Sequence, residues 1–190
     1  MTTQIDPDRW LAEYGDFLYR YALFKLGNAA LAEDLTQETF LAALKARERF
    51  SGRSTERTWL TGILKHKIVD HLRRSGRETA LEDGLSDSAS LDAFFDNHGH
   101  WLSEHQAWNN PDQSLEQEKF WHAFRDCIAH LPPKLADLYI LREINGVSSE
   151  EACKIVDIST TNNMWVMLSR ARMRLRRCLE SNWFAKAAGE

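Results

Sequence analysis

Apolar residues recur at steps of three and four along most of the chain, the spacing that places them on one face of an α-helix. Trp10, Tyr14, Phe17 and Tyr21 follow this pattern, and Gly27 comes after them as a helix stop signal. No convincing run alternates apolar and polar residues between turn signals, as a half-buried β-strand would. The pattern therefore predicts an all-α fold, with no segment apolar for long enough to insert into a membrane.

Two groups of helices are predicted. In the first group, a second helix runs through LAEDLTQETFLAALKARERF and ends near Ser51 and Gly52, and a third covers about Thr58 to Arg74 before Gly76 stops it. The second group begins near Leu115. Its first helix extends to about residue 130, a Leu-Pro-Pro sequence breaks it, and another helix covers about 134–144.

The end of the chain has the helix start and stop signals of a helix-turn-helix. Ser148 is followed three residues later by Glu151, the capping-box signature, which opens a short helix to about Val156. A tight turn comes next, and a longer helix begins near Thr160. A short helix, a brief turn and a longer helix form the helix-turn-helix arrangement.

Charge is segregated along the 190 residues, although the net charge is only −4. Between Glu78 and Glu118 there are ten acidic residues and no lysine or arginine, so the rest of the chain carries 24 basic and 18 acidic residues. Blocks of this kind are typical of polyanion-binding modules joined by a segment that does not bind polyanions. The sequence thus predicts two small helical domains, 1–77 and 115–190, joined by an acidic linker, 78–114.

The last helix carries five arginines and two adjacent asparagines between Thr160 and Arg177. Its aliphatic and aromatic positions should pack against the preceding helices: Trp165, Leu168, Ala171, Leu175 and Leu179. The opposite face would then present Asn163, Met167, Arg170, Arg174 and Arg177. Asparagine can bond an adenine edge, and arginine a guanine edge or a phosphate, so this face is predicted to bind DNA; a merely solvated basic face is the alternative.

The third helix carries a similar basic band. His66, Asp70, Arg73 and Arg77 lie on the face away from its apolar stripe, with Lys65, Lys67 and Arg74 beside them. The loop before it, FSGRSTERTW, places Arg53 and Arg57 between Phe50 and Trp59. Aromatic rings beside cations suit unstacked bases, although each ring taken singly is more often a core residue.

Other chemistry finds little support in the sequence. Cys127, Cys153 and Cys178 are odd in number and widely spaced, so we expect reduced thiols buried in helices rather than a disulfide framework. His122, Cys127 and His130 do not share one helical face, and no metal, glycine-rich phosphate or nucleophile motif occurs. We therefore expect no catalytic residue, no metal and no cofactor. The polar N-terminus carries no signal peptide, which favours the cytoplasm.

Three blocks of sequence carry a resemblance to a known family. They are AEDLTQETFLAAL (32–44), RTWLTGILKHKIVDHLRR (57–74), and LPPKLADLYILREINGVSSEEACKIVDIS (131–159) followed by SRARMRLRR (169–177). In this order and separation they resemble the extracytoplasmic-function (group IV) sigma factors of bacterial RNA polymerase. The family implies a protein that binds core polymerase, recognises the −10 and −35 promoter elements, helps to melt the −10 element, and is restrained by an anti-sigma factor.

The resemblance also implies residue roles. The polymerase-binding residues would be Asp34, Leu35, Gln37, Glu38 and Phe40. They would bind the clamp helices of β′, and the β subunit would be a further partner. Recognition of the −10 element, with a base of the melted strand captured by the loop 52–57, would use Arg53, Arg57, Trp59, Lys65, His66, Asp70, Arg73 and Arg74. Recognition of the −35 duplex would use Ser148, Lys154, Thr160, Thr161, Asn162, Asn163, Arg170 and Arg174.

Two departures from the family pattern and two alternatives accompany these roles. Position 66 is His where the family often has Asn, and the segment between Ser159 and Arg170 is one residue longer than the usual spacing, which in a helix rotates the later side chains by about 100°.

The acidic linker would be threaded through the polymerase in place of nucleic acid. A stand-alone two-domain helix-turn-helix regulator, and a metal-dependent enzyme using the His- and Cys-containing middle of the chain, are the alternative functions.

Overall fold

The computed structural model describes residues 6–75 and 118–184, and within these ranges every regular element is a helix. The all-α prediction is therefore confirmed. The predicted linker, Gly76, Arg77 and the predicted start of the second group at Leu115 lie outside the described residues. In the described part of the chain, no helix combines the length and the apolar character needed to cross a membrane.

Three helices form the N-terminal domain: α1 (Pro7–Leu26), α2 (Ala29–Ala46) and α3 (Glu56–Arg74). α1 ends at Gly27, whose φ of 66° is the left-handed conformation that glycine adopts without a steric cost. The Asn28 side chain then caps α2 by accepting from the Leu31 backbone N–H. The three helices pack on one another around side chains with almost no exposure: Trp10, Leu18, Tyr21, Leu60 and Leu64.

The second helix is shorter than its sequence predicts. α2 gives way to a single 3-10 turn at Arg47–Arg49, and Phe50 is extended, so the expected end near Ser51 was wrong. Residues 47–49 are Arg, Glu and Arg, which supply no apolar side chain to hold another helical turn against the core. Because α2 ends here, the residues that follow can form the loop before α3. At the end of that loop the Thr55 side chain caps α3 by accepting from the Thr58 N–H.

The C-terminal domain contains α4 (Glu118–Ala129), α5 (Pro133–Tyr139), α6 (Ser149–Val156) and α7 (Thr161–Leu179). One π-helical turn, Ile140–Ile144, continues α5, and another, Glu180–Phe184, continues α7. Side chains with no exposure form its centre: Ile128, Leu138, Ile140, Leu141, Met164 and Leu168. The predicted helix-turn-helix is α6, a turn in which Asp157 has a positive φ of 58°, and α7.

The cysteines differ from the prediction of reduced thiols. Cys127 on α4 and Cys178 near the end of α7 form a disulfide, whereas Cys153 on α6 remains a free and buried thiol. Periodicity could not reveal the pair, because the two cysteines are 51 positions apart and meet only when the first and last helices of this domain pack side by side. Within residues 6–75 and 118–184, no group of His, Cys, Asp and Glu side chains forms a metal-ligand set, and His122 faces Asp126 instead.

Candidate nucleic-acid interface

The outer face of α2 is part acidic and part apolar. Asp34, Gln37 and Glu38 are exposed, and so are Leu41 and Leu44, whose exposed fractions are 58% and 40%. These residues follow steps of three and four, so they share one stripe along the helix. Their apolar members were missed by sequence reasoning, which had no means of telling an exposed leucine from a core leucine within a largely apolar helix.

Two residues predicted for the same surface lie elsewhere. Leu35 is only 4% exposed and belongs to the core, and Phe40 is half-buried against that core. Leu35 therefore cannot contribute a contact surface to a partner. Glu38 reaches across to α3, where the Lys67 Nζ lies 2.9 Å from its carboxylate and lowers the pKa of Glu38 by hydrogen bonding and charge.

The exposed face of α3 is basic, with one carboxylate and one apolar side chain in it. His66, Asp70, Arg73 and Arg74 are all exposed, and Val69 between them is 45% exposed. The Arg74 guanidinium donates from Nε to the backbone carbonyl of Asp70, at 3.1 Å, and not to its carboxylate. The structure thus brings together on one surface the four residues that sequence predicted there.

The loop before α3 carries an aromatic cluster. The Phe50 and Trp59 rings lie with their centroids 5.0 Å apart, and Trp59 meets the buried Trp10 edge to face at 5.9 Å. Trp59 is half-buried and its indole packs on the hydrophobic core, which is the core alternative considered for this ring. Arg53, by contrast, is exposed at the tip of the loop.

Arg57 is held by the C-terminal domain. Its Nε donates to the Glu151 carboxylate on α6 at 2.9 Å, a second guanidinium nitrogen contacts the other carboxylate oxygen, and Thr55 donates to the same carboxylate at 3.0 Å. The hydrogen bond from Arg57 lowers the pKa of Glu151, because it favours the ionised carboxylate. The guanidinium also lies 5.5 Å from the centroid of the Phe17 ring.

A second contact between the domains centres on Asp137 of α5, which is 6% exposed. One carboxylate oxygen accepts from the Tyr21 hydroxyl and lies 2.8 Å from the Lys25 Nζ, and the other lies 3.1 Å from the Lys65 Nζ. Burial alone would raise the pKa of Asp137, but the charges of Lys25 and Lys65 hold it below its ordinary value. Lys65 also donates to the Ile155 carbonyl at 3.2 Å.

These contacts explain one difference from the sequence pattern. The Ser148 side chain caps α6 by accepting from the Glu151 N–H, as the capping box requires, but the Glu151 carboxylate turns to Arg57 and not back to the cap. Arg57 and Lys65, two of the predicted −10 residues, are therefore bound to carboxylates of the domain that contains the helix-turn-helix.

The exposed face of α7 is rotated from the predicted one. Met167, expected outside, is 4% exposed, whereas Trp165 and Val166 are 44% and 50% exposed. Trp165 was expected to pack inside, but the side chain buried at that point of the helix is Met164, which has no exposure. The exposed stripe is Asn162, Trp165, Val166, Ser169 and Arg172.

The other predicted residues of this surface lie around that stripe. Thr160 is the N-cap of α7, with its hydroxyl 3.2 Å from the Asn163 N–H, and Thr161, Asn163 and Lys154 are exposed. Arg170 and Arg174 are half-buried, and the Arg170 Nε is buried without a hydrogen-bond partner. The N-terminal half of α7 therefore presents amide and apolar groups, and its C-terminal half presents guanidinium groups.

The Thr160 cap provides a test of local stability. Thr160→Ala should lower the free energy of unfolding by about 1 kcal/mol, since one of the first N–H groups of α7 loses its acceptor. Urea denaturation followed by circular dichroism measures this, and Thr160→Ser, which keeps the hydroxyl, is the control. Equal midpoints for the Ala and Ser variants would contradict the role of the cap.

Comparison with known proteins agrees with this geometry. The family model for Sigma-70 region 2 matches residues 10–78, and the model for Sigma-70, region 4 matches residues 121–175. A probable RNA polymerase sigma factor of Haemophilus influenzae is 38% identical over 161 residues, which cover 84% of this chain and 82% of that protein. The ECF RNA polymerase sigma factor BldN of Streptomyces coelicolor is 26% identical over 76% of this chain and 49% of its own length.

A solved structure has the same fold. It is the sigma factor RpoE in complex with the anti-sigma factor NepR from Bartonella quintana, with a TM-score of 0.61, 24% sequence identity, and coverage of 92% of this chain and 97% of that chain. The likeness extends over both groups of helices. The region matches and the Haemophilus relative lead to one assignment: the chain belongs to the sigma-70 family of RNA polymerase sigma factors.

Proposed function

We propose that this chain binds core RNA polymerase and directs transcription from promoters that it recognises at their −10 and −35 elements. The proposal rests on one observation above all: two helices with exposed polar or basic faces, α3 and α7, belong to segments of the chain that match sigma region 2 and sigma region 4. A stand-alone regulator would need only α7. We assign 1–77 to the first domain, 115–190 to the second, and 78–114 to the linker.

The α2 face is the proposed polymerase-binding surface. Asp34, Gln37 and Glu38 would meet basic groups on the β′ clamp helices, and Leu41 and Leu44 would bury apolar surface there. Hydrophobic residues at the centre of an interface, with charged residues around them, are the arrangement that stable protein complexes use. Phe40 would support this face from behind, and Leu35 contributes only to the core.

The −10 element would be bound by α3 and the loop before it. His66, Asp70, Arg73 and Arg74 present a polar, mainly basic surface, and Arg53 stands at the loop tip where a base leaving the stack could be held. Arg57 and Lys65 cannot bind DNA while Glu151 and Asp137 hold them. Promoter binding through these two residues therefore requires the two domains to separate.

Copurification with core polymerase tests the proposal. Purified chain and core enzyme should form a complex of one to one stoichiometry in gel filtration, and the complex should start transcripts at defined sites on a fragmented genomic library. A stand-alone regulator would bind DNA without forming this complex. Absence of the complex, with the chain folded, would remove the sigma-factor function.

Leu41→Glu is the variant for the α2 surface. Placing a carboxylate in the apolar part of the face should weaken binding to core polymerase at least tenfold, because the burial of a leucine is lost and a charge is desolvated. Leu11→Glu is the control, since Leu11 is 72% exposed and belongs to another helix, α1. Equal loss in both variants, or none in Leu41→Glu, would contradict the proposed surface.

An anti-sigma factor is the proposed regulatory partner. Its support is the likeness of the fold to a sigma factor solved with its anti-sigma factor, together with the exposed apolar groups on α2 that a competitor of polymerase could cover. Competition in the copurification experiment identifies such a protein, since it should displace the chain from core polymerase.

A further inference from the structure

The exposed stripe of α7 contains two neighbouring apolar side chains, Trp165 and Val166. Trp165 is 44% exposed and Val166 is 50% exposed, and both lie within the first two turns of the second helix of the helix-turn-helix. That part of such a helix enters the major groove of DNA. Neither residue was among those predicted to contact the −35 element.

The two side chains are held in place by the domain itself. The Arg142 guanidinium lies 5.4 Å from the centroid of the Trp165 ring, and Arg142 donates to the Val147 carbonyl, so the ring rests on a fixed cation. Val166 is β-branched and keeps few rotamers in a helix. The apolar ledge formed by Trp165 and Val166 is therefore a preformed surface and not a pair of freely rotating side chains.

The surroundings of the ledge are those of a DNA-binding surface and not of a protein-docking patch. Asn162 and Ser169 lie on the same stripe, one helical turn to either side, and both can bond base edges. Lys154 on α6 is exposed and Arg170 on α7 is half-buried, and both give the helix-turn-helix positive charge. The stripe from 162 to 169 is about 10 Å long, which corresponds to about three base pairs.

The major groove displays one apolar group, the C5 methyl of thymine, and apolar side chains contact it there. Resting on the proposed −35 function, we infer that Trp165 and Val166 read thymine methyl groups in the −35 duplex. Asn162 and Ser169 then read polar edges of the flanking pairs. The chain prefers thymine at the position facing the ledge because cytosine, guanine and adenine carry no methyl group on their major-groove edges.

Deoxyuridine provides a direct test, because it differs from thymidine only by the absence of the C5 methyl. Holoenzyme reconstituted from core polymerase and the full chain first selects upstream duplexes from a randomised library. Each thymine of the selected −35 segment is then replaced singly by deoxyuridine. We expect one or two positions at which the replacement weakens binding about fourfold, the effect of one buried methyl-sized group.

The variants assign that effect to the ledge. Val166→Ala and Trp165→Ala should bind thymine and deoxyuridine duplexes equally, whereas Asn162→Ala, the control on the same stripe, should keep the fourfold preference. None of the three residues belongs to the buried core, so each variant should still unfold cooperatively, and Trp165→Ala should lower the midpoint only slightly through loss of the Arg142 contact.

The outcomes separate this inference from the proposed function. A holoenzyme that selects −35 sequences but binds thymine and deoxyuridine equally at every position overturns the inference and leaves the −35 function intact. If Val166→Ala also leaves DNA binding unchanged but weakens binding to an anti-sigma factor, the ledge is a protein-docking surface and the inference is equally overturned. Failure to select any upstream sequence removes the −35 function itself.

Discussion

Reduction of the Cys127–Cys178 disulfide should lower the free energy of unfolding of the C-terminal domain by about 4 kcal/mol. The bond closes a loop with a sequence separation of 51 that contains α5, α6 and nearly all of α7. The cross-link restricts the unfolded chain far more than the folded one, because α4 and α7 already pack side by side. Opening it restores that lost chain entropy to the unfolded state.

Urea denaturation with and without a thiol reductant measures the effect. The parent chain should lose stability on reduction, and Cys127→Ser should show the lower stability in both conditions. Cys153→Ser is the matched control, since Cys153 is a buried free thiol on α6 and its variant should still respond to the reductant. Identical midpoints for the oxidised and reduced parent chain would contradict the stabilising role of the disulfide.

The helices themselves could be predicted from the sequence because their signals are local. Gly27 and the Ser148 cap end and begin helices by interactions that reach only a few residues along the chain. The three-residue break at Leu-Pro-Pro has the same character. Such signals predict the order of the helices and the helix-turn-helix. The predicted end of α2 was wrong because no glycine or proline follows Ala46 to mark it.

The faces of the helices were predicted less well, because a face depends on what packs against it. On α7, Trp165 and Met167 are both apolar and lie two positions apart. Either residue could therefore begin a row of apolar side chains at helical spacing, and the sequence does not show which row is buried. The flexible methionine side chains at 164 and 167 fill the space against the neighbouring helices, and the larger indole is left outside. Leu35 and Leu41 of α2 present the same choice between core and surface.

Contacts between the domains had no sequence signal at all. Glu151 fits a capping box and Arg57 fits a DNA-binding loop. Each local role explains the residue by itself, so neither role predicts a contact between the two residues. Only the packing of α3 on α6 brings the two side chains together, across 94 positions of sequence. The same holds for Asp137 and Tyr21, which are 116 positions apart.

Neutralising the two carboxylates that join the domains should open the molecule. In the double variant Asp137→Asn with Glu151→Gln, the partly buried ammonium groups of Lys25 and Lys65 lose their anion, and Arg57 loses its carboxylate. Removing one partner of a fully buried ion pair costs about 3–5 kcal/mol, and the partial exposure of these three cations reduces that cost. We expect this cost to be relieved by separation of the domains, because water then solvates the freed cations while each helical core stays intact.

Small-angle X-ray scattering of the free chain measures the opening as an increase in the radius of gyration, while circular dichroism should report unchanged helix content. Glu143→Gln is the matched control, since the Glu143 pair with Arg172 lies within the C-terminal domain. Acid should act in the same direction as the double variant. The pKa values of Asp137 and Glu151 are lowered in the folded chain, so their contribution is complete above the ordinary carboxyl pKa of about 4 and is lost as the pH falls through the lowered values.

Opening should also free Arg57 and Lys65 for DNA. The double variant, without polymerase, should therefore bind a single-stranded −10 oligonucleotide more tightly than the parent chain, and the gain should shrink as salt screens the added phosphate contacts. Arg57→Ala placed in the open variant should remove part of that gain, because the released guanidinium is what meets the strand. An open variant with a larger radius of gyration but unchanged oligonucleotide affinity would show that these two cations hold the domains together and have no part in reading the promoter.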